Sequence, residues 1–416
     1  MKIKKELSHF ISFLEKWTEL DILYYLKGGM VLFSTQFLLL LSSFGLSIGF
    51  AYLSSKEAFG QFQFIIAIIS TLAVLTVPGA NIAAFIGVSQ KKEGTIWQGI
   101  KLKLKSSILS IAGLLAVAAY FYFKQDTGYK AVWQALLVAI IFFPILYTLD
   151  ITTAFFGGRK KFEWGCFFQL LRDSGGAIAV LVALFFTRNL VALIAIYLLI
   201  QTLGYILAFL FVRKKIQNSK KDPEFNSYSI HFTVINFVTY IKLYFDKIII
   251  TYFLGFVATA TYTIAAAMAE QLYAVSKSIS NLSFPKMAVH RKEKLYYEVK
   301  RRMTKLVMFF VLVAVVGIFA APFIIPFFFS QQYKDAVPIA QLLLLIVIPR
   351  AIAAVLARVQ EAQRQKKKLY IINTTYASAE IVFLLILTPL YGIYGVVGAK
   401  AIANAIYLIF AWKSLD

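Results

Sequence analysis

Cysteine is all but missing from these 416 residues, with Cys166 the only one. A disulfide framework and a thiolate metal site are thereby excluded. Histidine is nearly as scarce, and His9, His231 and His290 are too scattered to form a zinc ligand set. Acidic residues number 20 against 43 lysines and arginines, leaving a net charge of +23. Charged residues of every kind reach only 15%, against roughly 25% in soluble domains. The sequence also lacks a G-x-x-x-x-G-K-[ST] phosphate cradle, an H-E-x-x-H pair and a Ser/His/Asp arrangement. These absences argue against ATP hydrolysis and hydrolytic catalysis, so no catalytic residue, metal site or cofactor is expected.

What is abundant is hydrophobic sequence, at 60%, arranged in blocks of about 20 residues. That is the length needed to cross about 30 Å of hydrocarbon at 1.5 Å per residue. The expected spans are 29–50, 60–78, 106–123, 131–151, 166–187, 190–212, 230–253, 258–282, 305–329, 337–357, 369–389 and 393–412. Thr187-Arg188-Asn189 leaves room only for a tight hairpin, and Pro389-Leu390-Tyr391-Gly392 splits the last apolar stretch with turn residues. The predicted fold is an all-α integral membrane protein of about twelve transmembrane helices. The N-terminus is not a cleavable signal, because Glu15, Lys16, Glu19 and Asp21 interrupt any apolar core. Residues 1–28 read as an interfacial amphipathic segment leading into the first span.

The positive charge is placed by topology. Loops on one side carry Lys91, Lys92, Lys101, Lys103 and Lys105, then Arg159–Lys161, Arg213–Lys215, Lys286 and Arg301, and finally Lys366–Lys368. The opposite loops offer only Lys56, Lys124, Lys130, Arg188 and Lys334. With the termini included the split is about thirty to about five, which sets both ends on the cytoplasmic side of the membrane. A basic protein can also bind nucleic acid, but charges confined to alternate short loops exclude that reading. Membrane lipids are the expected surroundings. Asp150 reads as an ordinary interfacial carboxylate at the end of the fourth span.

Two halves are expected, 29–212 and 230–416, joined by a polar linker at 213–229. Gly157-Gly-Arg-Lys-Lys-Phe162 after the fourth span corresponds to Gln363-Arg-Gln-Lys-Lys-Lys368 after the tenth. The offset of roughly 200 residues is that of a duplicated six-helix unit. Six being even, the two six-helix bundles would be related by a pseudo-two-fold along the membrane normal.

Ionisable residues within the spans are costly and tend to face a bundle interior or an aqueous cavity. They are Arg172 and Asp173 in the fifth span, Lys242, Asp246 and Lys247 in the seventh, and Glu270 and Lys277 in the eighth. Arg350 lies in the tenth, Glu380 in the eleventh and Lys400 in the twelfth. Lys242 and Asp246, about 40° apart around a helix, can pair on one face. Glu270 and Lys277 share a stripe, as do Arg350 and Glu361. Arg350 and Lys400 have no partner by spacing. Two readings stand for this set: charges lining a central cavity, or mutually neutralising pairs that hold helices together.

The stretch Tyr244-Phe-Asp-Lys-Ile-Ile-Ile-Thr-Tyr-Phe-Leu-Gly255, followed by Thr261-Tyr262 and Ala265-Ala266, resembles the seventh-span signature of bacterial polysaccharide flippases. These belong to the multidrug/oligosaccharidyl-lipid/polysaccharide exporter superfamily. Asp246, Lys247, Leu254, Gly255 and Tyr262 match, whereas Ala260 stands where the family usually has glycine. Phe284-Pro285-Lys286, Gly60 with Phe62, and Gly158-Arg159-Lys160-Lys161-Phe162 match as well.

The resemblance implies export of a polyprenyl-diphosphate-linked oligosaccharide by alternating access, a transporter and not an enzyme. It assigns the diphosphate to some of Arg172, Lys242, Lys247, Lys277, Arg350 and Lys400. Asp246, Glu270 and Glu380 are then counter-charges or sites for a coupling ion, Na+ or H+. The glycan lipid is the expected partner, with a glycan polymerase or glycosyltransferases beside it. Two alternatives remain. An ion-coupled multidrug exporter of the same superfamily would want acidic and aromatic residues in its cavity. A non-transporting scaffold would recruit glycan-assembly enzymes through 213–229 and 284–304.

Overall fold

The computed structural model describes residues 22–124, 127–289, 292–363 and 365–414, and all regular structure among them is helical. In chain order the helices are α1 (Ile22–Leu53), α2 (Lys56–Leu72), α3 (Gly79–Ser89), α4 (Thr95–Phe123), α5 (Lys130–Leu149) and α6 (Thr152–Gly158). There follow α7 (Phe162–Phe186), α8 (Leu190–Lys215), α9 (Phe225–Val289), α10 (Lys292–Phe329), α11 (Ala336–Ala362) and α12 (Lys366–Lys413). The interfacial segment expected at 1–28 lies, up to residue 21, outside the described residues.

Among the described residues, ten helical stretches are long and apolar enough to cross a membrane. The difference from about twelve lies in α9 and α12, of 65 and 48 residues. At 1.5 Å per residue a straight α9 would be roughly 100 Å long, far beyond a bilayer's hydrocarbon core. It breaks at Gly255, where φ is 86° and ψ 177°, and α12 breaks at Gly392, where φ is 60° and ψ −138°. Such backbone angles belong almost to glycine alone. The turns expected at 254–257 and 390–392 are thus compressed to a single residue each. The two breaks are neighbours, since a methyl group on Gly392 would sit 3.8 Å from the Leu254 side chain.

Local chemistry explains the other boundaries. The Ser55 side chain caps α2 by accepting from the Ala58 N–H, and Asn189 caps α8 by accepting from Val191 and Ala192. Thr187–Asn189 make the tight hairpin that the sequence demanded. Arg213, Lys214 and Lys215 fill the last turn of α8, where cations suit the helix dipole. Cys166 is buried and unpaired. Large side chains such as Phe186, 85% exposed, face outward as a lipid-solvated surface requires.

α4 begins eleven residues before the expected span, and α3 occupies what was expected to be loop. The reason is a stripe along α4: Ile96, Gly99, Lys103, Ser107, Ser110 and Leu114 recur at three- and four-residue intervals and are all buried. Lys103, expected in a cytoplasmic loop, is fully buried and ion-paired to Asp150 at 2.7 Å. Asn81 closes the triad, accepting from Lys103 at 3.0 Å and donating to Asp150 at 3.1 Å. Asp150 is therefore the counter-charge of a buried lysine and not an ordinary interfacial carboxylate.

The segment between α8 and α9 is fastened to Glu93, just before α4, and to Gln98 in its first turn. Buried Glu93 accepts from the Arg159 guanidinium and, at 2.6 Å, from the Gln217 backbone N–H. Gln98 both donates to the Asp222 carbonyl and accepts from the Asp222 N–H, each at 2.9 Å. Within the linker expected from polar composition, these hydrogen bonds make a strap. Glu93→Ala is expected to free it. Losing charge-assisted bonds worth about 1.5–3 kcal/mol should speed proteolytic cutting within 216–224 roughly tenfold or more. Cutting at the wild-type rate would mean that Glu93 does not hold the strap.

The opposite end is closed by aromatic packing. Phe256, just past the α9 break, contacts the rings of Phe64 and Tyr129, with centroids at 5.8 and 5.1 Å. Tyr129 stacks on Phe121 at 4.8 Å, and Gln61 donates to the Gly128 carbonyl at 2.9 Å. Between α1 and α10, Tyr52 donates to the Phe327 carbonyl at 2.7 Å, and Lys56 at the start of α2 pairs at 3.0 Å with Asp335, just before α11. The Lys56 ammonium also lies 5.2 Å from the ring centre of Tyr333, whose phenol is pushed well above its ordinary pKa by burial.

Candidate functional site

α9 is the element that straddles the molecule. It packs against α2 and α3 on one side and α11 and α12 on the other. Gly79 permits the first contact, because a side chain there would strike the Ser229 carbonyl, and its N–H donates to Thr233 Oγ1 at 3.0 Å. Farther along, the charged face of α9 meets α12.

There the geometry departs from helical spacing. Lys242 does not pair with Asp246. Its ammonium bonds Glu380 Oε2 of α12 at 3.0 Å and lies over the Tyr376 ring, 3.4 Å from the centroid. Asp246 is bonded instead by Lys400 of α12 at 3.0 Å, and Lys400 reaches Glu380 Oε1 at 2.9 Å. The order is Asp246, Lys400, Glu380, Lys242: alternating charges on α9 and the two arms of α12. Buried Tyr262 donates to Asp246 Oδ2 at 2.8 Å, which gives the signature tyrosine a role. Tyr376 donates to Asn404 at 3.1 Å and stacks on Tyr407 at 4.4 Å, fixing the wall beside Lys242.

Lys247 faces the other way. Its ammonium bonds the amide oxygen of Gln63 on α2 at 2.7 Å. Arg350, expected to be unpaired, bonds Glu270 at 2.6 Å and lies 3.8 Å from the centre of the Tyr273 ring. Glu270 therefore belongs with Arg350. Glu361, which shares a stripe with Arg350 by spacing, pairs with Arg358. The Lys277 side chain lies outside the described residues, so its stripe with Glu270 is not tested. Arg172 stands apart from the cluster: on α7 it forks onto the adjacent Asp173, at 2.6 and 2.9 Å, and covers the Tyr205 ring at 4.3 Å.

The structure thus brings together Lys242, Arg350 and Lys400 with Asp246, Glu270 and Glu380, contributed by α9, α11 and α12, and leaves Lys247 on the face of α9 toward α2. Three cations meet three carboxylates there, and Lys247 adds a fourth cation on the opposite face of α9. Lys242 and Lys400 are held by carboxylates, whereas Lys247 holds only a neutral amide among the described residues. Glu270 is 53% exposed and Arg350 21%, so this pair is the most accessible. Gln63, Tyr376 and Asn404 are participants that the sequence alone did not single out. Gln63, like Gln61, is an amide within the largely apolar helix α2, and that was its available signal. No group of three or more metal-ligating side chains occurs among the described residues.

The sequence model of a family described as polysaccharide biosynthesis protein matches residues 25–288. Solved structures match the fold. A multidrug resistance MATE family transporter of the MOP superfamily, inward-facing, gives a TM-score of 0.65 at 14% identity, covering 91% of this chain and 93% of that one. The lipid II flippase MurJ, in an inward closed conformation, gives 0.66 at 16% identity, covering 94% and 87%. A MOP superfamily transporter from Pyrococcus furiosus, whose binding pocket is described as of reverse polarity, gives 0.59 at 15% identity, covering 95% and 94%. No curated protein matches the chain in sequence.

Proposed function

Because the chain belongs to the polysaccharide biosynthesis protein family, we propose that it is a flippase for a polyprenyl-diphosphate-linked oligosaccharide. It carries this cargo from the cytoplasmic to the outer leaflet of the inner membrane, with both termini cytoplasmic. The observation that carries the reading is the set of cations on α9, α11 and α12: Lys242 and Lys400 share Asp246 and Glu380, Arg350 meets the half-exposed Glu270, and Lys247, on the face toward α2, holds only the Gln63 amide. Buried cations in excess are what a diphosphate headgroup requires and what a cationic drug would avoid.

Lys247 and Arg350 are the first contacts for the diphosphate, since neither must abandon a buried carboxylate. Lys242 and Lys400 follow only if cargo displaces Glu380 or Asp246. Arg172, backed by Tyr205, lies along the path in the other half and serves the glycan lipid at a second stage of transit. Alternating access exposes the cluster to one leaflet and then the other, driven by a sodium or proton gradient. A glycan polymerase or glycosyltransferases would supply or consume the cargo.

The test is leaflet transfer of a fluorescent polyprenyl-diphosphate oligosaccharide in proteoliposomes. Wild-type protein should accelerate transfer. Arg350→Ala and Lys247→Gln should each slow it about tenfold, the effect of losing one charge-assisted contact of about 1.4 kcal/mol or more. Their folding should persist, because Glu270 is half exposed and Gln63 is neutral. Protein-independent transfer, or saturable uptake of a cationic dye in its place, would reject the assignment.

A further inference from the structure

Asp246 and Glu380 converge from α9 and the first arm of α12 on a single ammonium. Lys400 Nζ lies 3.0 Å from Asp246 Oδ2 and 2.9 Å from Glu380 Oε1. The remaining valences of both carboxylates are already used. Asp246 Oδ1 accepts from the Lys247 backbone N–H at 2.8 Å, Asp246 Oδ2 also accepts from Tyr262 at 2.8 Å, and Glu380 Oε2 takes Lys242 at 3.0 Å. Two carboxylates this close, Glu380 buried and Asp246 13% exposed, repel unless something positive stands between them. A free metal cation would stand where Nζ does, taking one oxygen from each.

We propose that Lys400 is a tethered cation that fills, from within the chain, the position a free sodium ion would take between Asp246 and Glu380. Asp246, Lys400, Glu380 and Lys242 then form a unit with no net charge and no vacancy, so a further cation finds neither attraction nor ligands. The tether follows from the fold. The Gly392 reversal lays the second arm of α12 back along the first, and this brings Lys400 beside Glu380 although twenty residues of chain separate them. Close apposition of the arms is enforced at Gly395, where a methyl group would come within 2.0 Å of the Leu387 carbonyl oxygen.

The inference concerns ion selectivity and does not depend on the cargo. It removes sodium from the coupling role at these two carboxylates and leaves any gradient coupling there to protons or to groups elsewhere. It also identifies the change that would convert the site. Lys400→Ala deletes the ammonium, leaves both carboxylates facing a space the size of the lost side chain, and so creates a monovalent-cation site.

The experiment is thermal unfolding of purified protein in detergent, in sodium, ethylammonium or choline chloride at equal ionic strength. Wild type is expected to melt at the same temperature in all three. Lys400→Ala should melt lower in choline and rise by several degrees in sodium and in ethylammonium, the small cation that replaces the lost group. Adding Asp246→Asn to Lys400→Ala should abolish that rise. A sodium-specific stabilisation of wild type that disappears in Asp246→Asn overturns the proposal. So does a Lys400→Ala protein that is indifferent to both cations, or that fails to stay folded in every salt. None of these readings uses transport, so failure here is distinct from failure of the flippase reading.

Discussion

Glu380→Ala should lower the stability of the purified protein more than any other single charge removal in the cluster. Glu380 is 3% exposed and receives two ammonium groups, Lys400 at 2.9 Å and Lys242 at 3.0 Å. Removing it strands two buried cations beside one remaining carboxylate. Breaking a buried pair by deleting one partner costs about 3–5 kcal/mol, because the other charge stays desolvated. Against a total stability of about 5–15 kcal/mol, that is enough to empty the folded state under mild heating. The cost arises from stranded charge, so a second change that removes one of the stranded groups should return part of it. Glu380→Ala/Lys242→Met is therefore expected to melt above Glu380→Ala alone. Size-exclusion profiles after a temperature series measure both. A single mutant as stable as wild type would show that the two lysines are solvated well enough without it.

Gly60→Ala is the second large effect, and its origin is steric. A methyl group on Gly60 would lie 1.9 Å from the Phe256 carbonyl oxygen and 2.6 Å from its carbon. Both obstacles are backbone, so no rotamer change relieves them. α2 must move away from α9 at the point where Phe64, Tyr129 and Phe256 close the end of the bundle. Overpacking of this kind costs about 1–3 kcal/mol or more, and the displacement also opens the aromatic seal. The expected phenotype is loss of stability together with loss of leaflet transfer. Gly45→Ala is the control, since nothing lies within 4 Å of the added methyl and alanine favours the helix by about 1 kcal/mol. Equal behaviour of the two variants would be incompatible with the close approach of α2 and α9.

The spans and their hairpins were legible because hydrophobic block length and turn residues are local properties. The break in α12 was legible to within 390–392, with Pro389 just before it. Gly255 was legible only as part of a signature, because Phe253 through Val257 carry no turn composition except that one glycine. The faces of the charged residues were legible too: Lys242 and Asp246 do project from one side of α9. Their partners were not. Helical spacing fixes which way a side chain points and says nothing of what the facing helix offers, and α12 offers Glu380 and Lys400 in the register that exchanges both pairs. Lys103 was misplaced for a different reason. Hydropathy averages over a window, and Lys101, Lys103 and Lys105 together depress it. The small-residue stripe through Gly99, Ser107 and Ser110 marked the buried face of α4 all the same.

The one-residue reversals at Gly255 and Gly392 also bear on how the chain enters the bilayer during synthesis. A helical hairpin with no loop cannot leave its first arm inserted while the second waits in water, because the connection offers no slack. Each pair of arms must partition as one unit, with its buried polar groups already meeting across the hairpin: Tyr262 with Asp246 in α9, Lys400 with Glu380 in α12. The reversals carry no charge, so topogenic information for both hairpins must come from their flanks, in Arg213–Lys215 and Lys366–Lys368.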